Sequence, residues 1–287
     1  MVNFNNIFND KLNSLSFKDS FFNSFNIIDI PTNRFNYIDS GYNSVFDSAE
    51  LKVLFFKVVS VCIEGKNTKS VSIDKYFLFL GDDIELFKVV SYSGYNFDLS
   101  PVSLDLDFDS ELAKINEIDL ELKKDMSVSM IIDMIRRYLE LTKCLGFAIL
   151  DGSLDCRYAF ENQLVSNAYI GFSKKSNFNK LLNKRGYIKL KENSVVAKLF
   201  DDAEHCFRID YQGDINVVLS VLVDQSDNIF RGYPYGLILA DKFAKVSEKE
   251  KEMLNMIMFL HSHDKQKFQS LLSQSNAHGI IDIINKK

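Results

Sequence analysis

The stretch Phe147-Ala148-Ile149-Leu150-Asp151-Gly152-Ser153-Leu154 decides the fold that we predict for this chain. Its apolar run predicts a strand, and the Asp-Gly-Ser that follows predicts a turn with a carboxylate at the strand end. A second aspartate stands in Asp39-Ser40-Gly41, also after an extended stretch. Because aspartates on neighbouring strand ends supply the oxygen ligands that Mg²⁺ and Mn²⁺ prefer, the two motifs together predict a divalent metal site. Either motif alone is also typical of an ordinary turn.

The elements before this stretch predict a mixed α/β core. Residues 51–63, 72–80 and 85–92 are rich in β-branched and aromatic side chains, and they predict an antiparallel meander after the strand of Asp39. The pattern becomes helical from Asp109 to Leu145, and residues 147–150 return to the sheet. Antiparallel strands, then a helix that crosses to an acid-terminated strand, predict one mixed sheet with flanking helices.

Further elements are predicted on both sides of this core. The apolar residues of 4–25 recur at three- and four-residue intervals and predict helical pieces. A helix is expected from Pro234 to about Lys245, and Ser247-Glu248-Lys249-Glu250 is a capping box for another helix through about His261. The remaining predictions are strands at 166–172, 206–211 and 216–223, a short helix at 176–184, and a loosely held tail after the last helix.

Composition argues against several classes of protein. The chain starts without the features of a signal peptide, and no apolar stretch approaches the roughly 20 residues that span a bilayer. We therefore expect a cytoplasmic protein with no membrane partner. The four cysteines have no Cys-x-x-Cys spacing, which argues against a zinc site, and the absence of a Gly-x-x-x-x-Gly-Lys-Ser/Thr loop argues against ATP hydrolysis by this chain.

A local basic segment stands out against the formal net charge of −5. Residues 174–191 contain seven lysines and arginines and no acid, with aromatic residues interleaved. Such a segment can neutralise phosphates and stack on unpaired bases, and it is equally typical of a solvated helix face. The cations that we take as candidate DNA contacts are Lys174, Lys175, Lys184 and Arg185.

A series of motifs carries a resemblance to a known family. In chain order they are Tyr37–Gly41, Asp151–Leu154, Tyr169–Ser176, Phe207–Tyr211 and Gly232–Asp241. From about residue 35 to about residue 250 the series resembles the NurA family of DNA-repair nucleases. The resemblance implies an RNase H-like core within a single domain that spans 1–287. Its parts would be a helical N-terminal arm at 1–34, the core at 35–250, and a C-terminal helix and tail at 251–287.

The resemblance and the acids together predict the ligands of a two-metal site that binds Mn²⁺ or Mg²⁺. Such a site needs three or four carboxylates from separated parts of the chain. Asp39 and Asp151 are the first two, and Asp241 is the candidate for the last. The preceding helix should supply another, and the sequence leaves Glu140 and Asp133 as alternatives, since residues seven apart share a helical face. Both acids also have the spacing of surface ion pairs with neighbouring arginines.

The resemblance also implies residues that contact the substrate and an activity. Lys174 and Arg208 match family positions near the substrate phosphate, and Tyr233 and Tyr235 would orient DNA or pack in the core. The implied enzyme is a homodimeric single-strand endonuclease and 5′–3′ exonuclease that resects DNA ends with a HerA-type hexameric ATPase. Two alternatives remain: a catalytically silent relative that serves as a DNA-binding or adaptor subunit, and a nuclease of the same fold that acts on RNA.

Overall fold

The computed structural model of the chain describes residues 22–30, 32–81, 84–93, 96–102, 104–107, 112–115, 118–121, 127–158, 160–174 and 182–271. The strands are β1 Phe22–Asn23, β2 Arg34–Asp47, β3 Lys52–Glu64, β4 Asn67–Leu80, β5 Ile84–Ser93, β6 Asn96–Val102, β7 Leu104–Asp107, β8 Leu112–Ile115, β9 Ile118–Glu121, β10 Ala148–Asp151, β11 Ala168–Ser173, β12 Gly186–Lys191, β13 Ser194–Lys198 and β14 Phe207–Tyr211. The α-helices are α1 Val128–Thr142, α2 Glu161–Leu164, α3 Ile215–Asp224, α4 Tyr235–Ala244 and α5 Glu248–His261.

One large sheet organises the described part of the chain. Its eleven strands follow the order β1-β12-β13-β14-β11-β10-β2-β3-β4-β5-β6. Strand β10 is parallel to both of its neighbours, β2 and β11, whereas the other pairs are antiparallel. The central order β4-β3-β2-β10-β11, with α1 crossing from the antiparallel meander to β10, is that of an RNase H-like core, as the sequence predicts.

Helices cover both faces of this sheet, because the strands alternate apolar side chains between the faces. On one face, Ile38 and Leu150 belong to a core cluster with buried residues of α1. On the other face, Tyr37 and Ile149 belong to a cluster with buried residues of α3 and α4. The sheet is therefore the middle layer of three.

Two predicted elements are wrong in type. Residues 216–223 form most of helix α3 instead of a strand, because Asp214 caps the helix by accepting from Asn216 N at 2.6 Å and the packing against the sheet outweighs the β-branched composition. The predicted helical pattern from Asp109 is also wrong before α1. Strands β8 and β9 lie there and form a small antiparallel sheet with β7, and the apolar residues of β7 and β9 alternate as a strand requires.

The terminal segments differ in part from the prediction. Within the predicted helical arm, Phe22 and Asn23 pair with β12, and residues 24–30 are not helical; residues 1–21 lie outside the described part. Residues 265–271 of the predicted tail are helical, and the Phe268 ring packs on Phe46 with centroids 5.0 Å apart. Most of the predicted helix at 176–184 and the last residues, 272–287, also lie outside the described residues.

Candidate metal centre

The register of β10 on β2 brings Asp39 and Asp151 together. Leu150 pairs with Ile38 in the parallel ladder, so the next residue along each strand is an aspartate. The prediction that Asp39 follows a strand end is wrong: it lies inside the 14-residue strand β2, opposite Val59 of β3. It is the short strand β10 that ends here, and the site lies where β10 stops between two longer neighbours.

Helix α4 adds Asp241 to the same place from the second layer. Strand β2 contacts α4 closely at Gly41, where a Cβ atom would overlap the carbonyl oxygen of Ala244. Carboxylate oxygens of Asp39, Asp151 and Asp241 lie within 4.8 Å of one another. Asp39 is buried, Asp151 is half-buried and Asp241 is exposed, so the cluster opens to solvent on the side of α4.

The side chain of Lys174 lies among the three aspartates. Its Nζ is 2.6 Å from Asp151, 3.0 Å from Asp241 and 3.9 Å from Asp39. Burial opposes the charge of this ammonium, but the carboxylates outweigh the burial and raise the pKa of Lys174 above its ordinary value. A positive charge therefore already occupies the position that the carboxylates create for a cation.

Glu140 lies on α1, on the opposite face of the sheet, and its charge acts on Asp39. Its Oε1 accepts from Arg136 Nη1 at 2.6 Å and from the hydroxyl of Ser40. Its Oε2 is buried and has no hydrogen-bond partner among the residues that the structure describes. Burial raises the pKa of Glu140, although Arg136 and Ser40 oppose the shift. A buried oxygen without a donor is the environment that a bound cation satisfies.

Asp133, the alternative to Glu140, lies away from this cluster. Its carboxylate pairs with Arg136 at 3.1 Å and with Arg157 at 3.0 Å, and its side chain is one-third exposed. Glu140 is also ion-paired with Arg136, as its i, i+4 spacing predicts, but its side chain is only 1% exposed. Of the two acids, Glu140 is the one that the fold directs toward Asp39 and Asp151.

The crowding of acids changes the protonation of Asp39. Burial, followed by the charges of Asp151 and Glu140, raises the pKa of Asp39 to about 8. A buried carboxyl that is crowded by other acids favours its protonated form unless positive charge is supplied. Carboxylate oxygens at the end of a short strand, an orphaned oxygen on Glu140 and an excess of negative charge fit a hard divalent cation such as Mn²⁺ or Mg²⁺.

The two candidate tyrosines have different environments. The ring of Tyr233 packs on Phe172 and Phe207, and Lys174 Nζ lies 5.2 Å from its centroid. Burial, followed by the charges of Asp151 and Asp39, raises the pKa of Tyr233, so its phenol stays neutral beside the acids. Tyr235 is 40% exposed at the start of α4.

The other predicted DNA contacts do not join this cluster. Arg208 pairs with Asp155 and, through Nε at 3.1 Å, with Asp210. Lys184 and Arg185 precede β12, which is four strands from β10, and they lie over the rings of Phe22 and Phe25. At about 4.8 Å per strand, that separation is roughly 19 Å. Lys175 lies outside the described residues.

Two buried ionic side chains, Asp210 and Arg137, hold the loop after Asp151, and neither role was predicted from the sequence. The carboxylate of Asp210 accepts from Ser153 Oγ at 2.6 Å and from Leu154 N at 3.0 Å. Arg137 donates to Ser153 O at 2.5 Å and to buried Glu161 at 2.9 Å. Asp210 lies within the motif Phe207–Tyr211, but that motif assigns it no role. The one signal was a charged residue within an apolar pattern, such as Asp210 in Phe207–Tyr211.

The fold and the site thus place this chain among proteins that have an RNase H-like sheet with acids clustered where the central strand ends. Comparison with solved structures makes this assignment more specific. No family model and no curated protein matches the sequence. The NurA nuclease from Sulfolobus solfataricus is 16% identical, with 89% of this chain and 92% of that chain covered and a TM-score of 0.55. A second NurA structure is 8% identical, with coverages of 92% and 98% and a TM-score of 0.49. Endonuclease V from Bacillus subtilis is 12% identical, with coverages of 85% and 91% and a TM-score of 0.37.

The likeness to the Sulfolobus structure gives this chain a NurA-like fold, which confirms the fold implied by the sequence motifs. The match covers most of both chains, so it includes the outer strands and helices as well as the RNase H-like core. Among the described residues, no helix is both long and apolar enough to span a membrane.

Proposed function

We propose that this chain is a divalent-metal-dependent DNA nuclease whose site is formed by Asp39, Asp151, Asp241 and Glu140. The observation that carries the proposal is the meeting of three carboxylates within 4.8 Å of one another, beside the buried orphaned oxygen of Glu140. The NurA-like fold supports the same activity, because the Sulfolobus protein with this fold is a nuclease. The number of carboxylates is that needed for two ions.

In this proposal Asp39 and Asp151 hold the metal from adjacent strands, and Glu140 and Asp241 complete the ligands from the two helical layers. Two Mn²⁺ or Mg²⁺ ions held by these residues would supply an activated water and stabilise the leaving oxygen of a phosphodiester. Arg136 and Ser40 fix the orientation of Glu140 through its Oε1, and its Oε2, which has no hydrogen-bond partner among the described residues, would be the metal ligand.

Lys174 and Tyr233 act on the substrate side of this site. Lys174 lies beside the carboxylates, and with these neutralised its ammonium would be free to contact the substrate phosphate and stabilise the charge that develops during cleavage. Tyr233 keeps its proton beside Asp151 and orients the strand as a neutral donor. The remaining candidate contacts are Lys175, Lys184, Arg185, Arg208 and Tyr235; Arg208 would have to exchange Asp155 for a phosphate.

The finer parts of the proposal rest on the family resemblance. They are single-strand endonuclease and 5′–3′ exonuclease activities in the resection of DNA double-strand breaks, a homodimer, and a HerA-type hexameric ATPase as partner in the cytoplasm. A translocating ATPase that feeds DNA to the site would explain how a chain with a net charge of −5 engages a polyanion.

The experiment that tests this function is cleavage of 5′-labelled single- and double-stranded DNA with Mn²⁺ or with EDTA. We expect Mn²⁺-dependent products from the wild type and none from Asp151→Ala. The matched control is Asp47→Ala, which removes an exposed aspartate at the far end of β2 and should cleave like the wild type. Equal cleavage by Asp151→Ala and the wild type would place the activity elsewhere. Competition with RNA of the same sequence separates a DNA nuclease from an RNA nuclease.

The position of Lys174 favours a second candidate, the silent DNA-binding or adaptor subunit. Its ammonium already contacts three carboxylates, and a permanent contact of this kind would make metal unnecessary. A ligand that binds only the native state raises its melting temperature. The adaptor predicts no Mn²⁺-dependent rise for the wild type and a rise for Lys174→Met, whereas the nuclease predicts a rise for both proteins.

A further inference from the structure

The loop that joins α3 to α4 exposes apolar side chains next to the candidate metal centre. Ile229 is 82% exposed, Phe230 is 39% exposed and Tyr235 is 40% exposed. The rings of Phe230 and Tyr235 lie side by side, with centroids 5.9 Å apart and planes tilted by 32°. Large apolar side chains that are grouped on a surface, instead of scattered singly, mark interaction sites.

Hydrogen bonds hold this loop in one shape. Phe230 N and Gly232 N both donate to Asp227 O, at 3.1 and 3.0 Å. Tyr235 N donates to Gln225 O at 3.1 Å, which closes the base of the loop. Arg231 has a φ of +58°, the only positive φ of a described residue other than glycine, and such a conformation persists where the surrounding structure enforces it. The exposed rings are therefore presented rigidly, which lowers the entropy lost when a partner binds.

The same loop is joined directly to the metal centre through Tyr233. Tyr233 N donates to Phe230 O at 3.0 Å, and the Tyr233 ring contacts Lys174 among the carboxylates. Tyr233 lies three positions after Phe230, and a segment of that length spans at most about 10 Å. One nucleic-acid strand can thus contact both the carboxylates and the exposed rings.

Arg231 adds a cation to the exposed rings. Its side chain is 67% exposed and lies 3.6 Å from Glu204, itself half exposed. An ion pair this exposed is weak, so the guanidinium can exchange Glu204 for a phosphate oxygen. Rings with a neighbouring arginine, beside a site for phosphodiester chemistry, are the features that bind unpaired strands.

We propose that Phe230 and Tyr235, flanked by Ile229 and Arg231, form a platform on which unpaired bases of a DNA strand stack beside the metal centre. This inference rests on the proposed function, since it gives the substrate strand a path from the carboxylates onto the loop. Stacking against ring faces favours single-stranded DNA and is indifferent to sequence. The platform thus predicts a preference for single strands at this site.

Binding in EDTA tests the platform without any cleavage. The probe is a fluorescein-labelled oligothymidylate, and fluorescence anisotropy gives the Kd of the wild type and of each variant. We expect Phe230→Ala and Tyr235→Ala each to weaken binding by about tenfold, the loss that corresponds to one stacked base. The control Tyr92→Ala removes a ring that is 61% exposed on β5 and should bind like the wild type.

Phe230→Leu distinguishes stacking from contact with any apolar partner. Leucine keeps an apolar side chain but has no ring, so the platform predicts a loss close to that of Phe230→Ala. Wild-type affinity in Phe230→Leu would overturn stacking, as would unchanged affinity in both alanine variants.

The binding and cleavage assays together separate failure of the platform from failure of the proposed function. If the alanine variants bind normally while the wild type cleaves DNA with Mn²⁺, the platform fails and the nuclease stands. If those variants bind weakly while the wild type cleaves nothing, the platform stands and the nuclease fails. A wild type that neither binds nor cleaves overturns both.

Discussion

At the scale of single residues, Glu140 distinguishes a metal site from a group of acids on the surface. Aspartates near turns are common, but burying a glutamate that is 1% exposed costs free energy when one of its oxygens has no donor in the described part of the chain. Arg136 neutralises part of its charge through the other oxygen. The free energy that this burial costs is recovered when a cation binds Oε2.

Replacing Glu140 with glutamine should therefore affect activity far more than replacing Asp133 with asparagine. Both changes keep the size of the side chain and remove a charge that pairs with Arg136. We expect Mn²⁺-dependent cleavage by Glu140→Gln to fall by about 100-fold or more, since a metal-ion clamp contributes several kcal/mol. Asp133→Asn should stay within about threefold of the wild type. Initial rates at saturating Mn²⁺ measure the activity of both variants. Equal losses of activity would contradict the assignment of Glu140, instead of Asp133, as the metal ligand.

The raised pKa of Asp39 predicts how stability depends on pH. The carboxyl titrates at about 8 in the folded protein and near about 4 in an unfolded chain. Between these values the folded state holds a proton that the unfolded state has lost, so stability falls as pH rises through this window and levels off above it. In EDTA we expect the Tm to drop by at least about 3 °C between about pH 5 and about pH 8.

Two variants check the origin of that pH dependence. Asp39→Asn removes the titrating group and should flatten the curve of Tm against pH. Asp47→Asn, on the exposed end of the same strand, should leave its slope unchanged. Saturating Mn²⁺ should also abolish the fall, because a bound cation favours the charged carboxylate. A Tm that rises from about pH 5 to about pH 8 in EDTA would contradict the account.

At the scale of elements, the site depends on where β10 ends and on what holds the loop after it. Strand β10 has four residues, and the following loop carries Gly152 at a φ of +134°. Asp210 of β14 accepts two hydrogen bonds from this loop and a third from Arg208 Nε. These hydrogen bonds and the charge of Arg208 outweigh burial and lower the pKa of Asp210, so it stays ionised.

Asp210→Asn should loosen the loop and move Asp151. The amide accepts weakly where the carboxylate accepted strongly, so we expect the Tm to fall by several degrees, since disrupting a buried polar network costs about 1–3 kcal/mol. Mn²⁺ should bind about tenfold more weakly, as for other residues that orient a metal ligand. Scanning calorimetry gives the Tm, and titration calorimetry gives the affinity for Mn²⁺. Asp155→Asn, whose carboxylate also pairs with Arg208 but is 37% exposed, is the matched control and should change each only slightly.

Part of these elements could be predicted from the sequence. The strands of the meander and helices α4 and α5 have strong local signals. In the predicted capping box, Ser247 Oγ accepts from Glu250 N at 3.2 Å. Helix α3 was predicted as a strand because its run of valine and leucine fits a buried strand and a buried helix equally well. For the short strand β9, the sequence contained the alternation, and its period was assigned wrongly.

The geometry of the site was less predictable, because register and layer packing create it. The aspartates could be selected as candidates, but the meeting of Asp39, Asp151 and Asp241 depends on the ladder between β2 and β10 and on the close contact of α4 with Gly41. No sequence pattern indicates that Lys174 Nζ lies among them. The sequence also could not decide between Glu140 and Asp133, which share a helical face; burial separates them.

At the scale of the whole molecule, the chain is a three-layer structure in which the sheet and both helical layers contribute acids to the candidate metal centre. Asp39 and Asp151 come from the sheet, Glu140 comes from the layer of α1, and Asp241 comes from the layer of α4. The loop before α4 then extends that point into an exposed aromatic surface. Phosphodiester cleavage and binding of the DNA strand would thus take place on one side of the molecule.

The most direct test of the account is a crystal structure of the protein with Mn²⁺, with anomalous diffraction measured near the manganese absorption edge. We expect one or two anomalous peaks among Asp39, Asp151 and Asp241, with Glu140 Oε2 turned toward them and Lys174 displaced from the carboxylates. A map without a peak at saturating Mn²⁺, in which Lys174 still contacts all three aspartates, would contradict the metal-centre assignment and leave the adaptor as the better description of this chain.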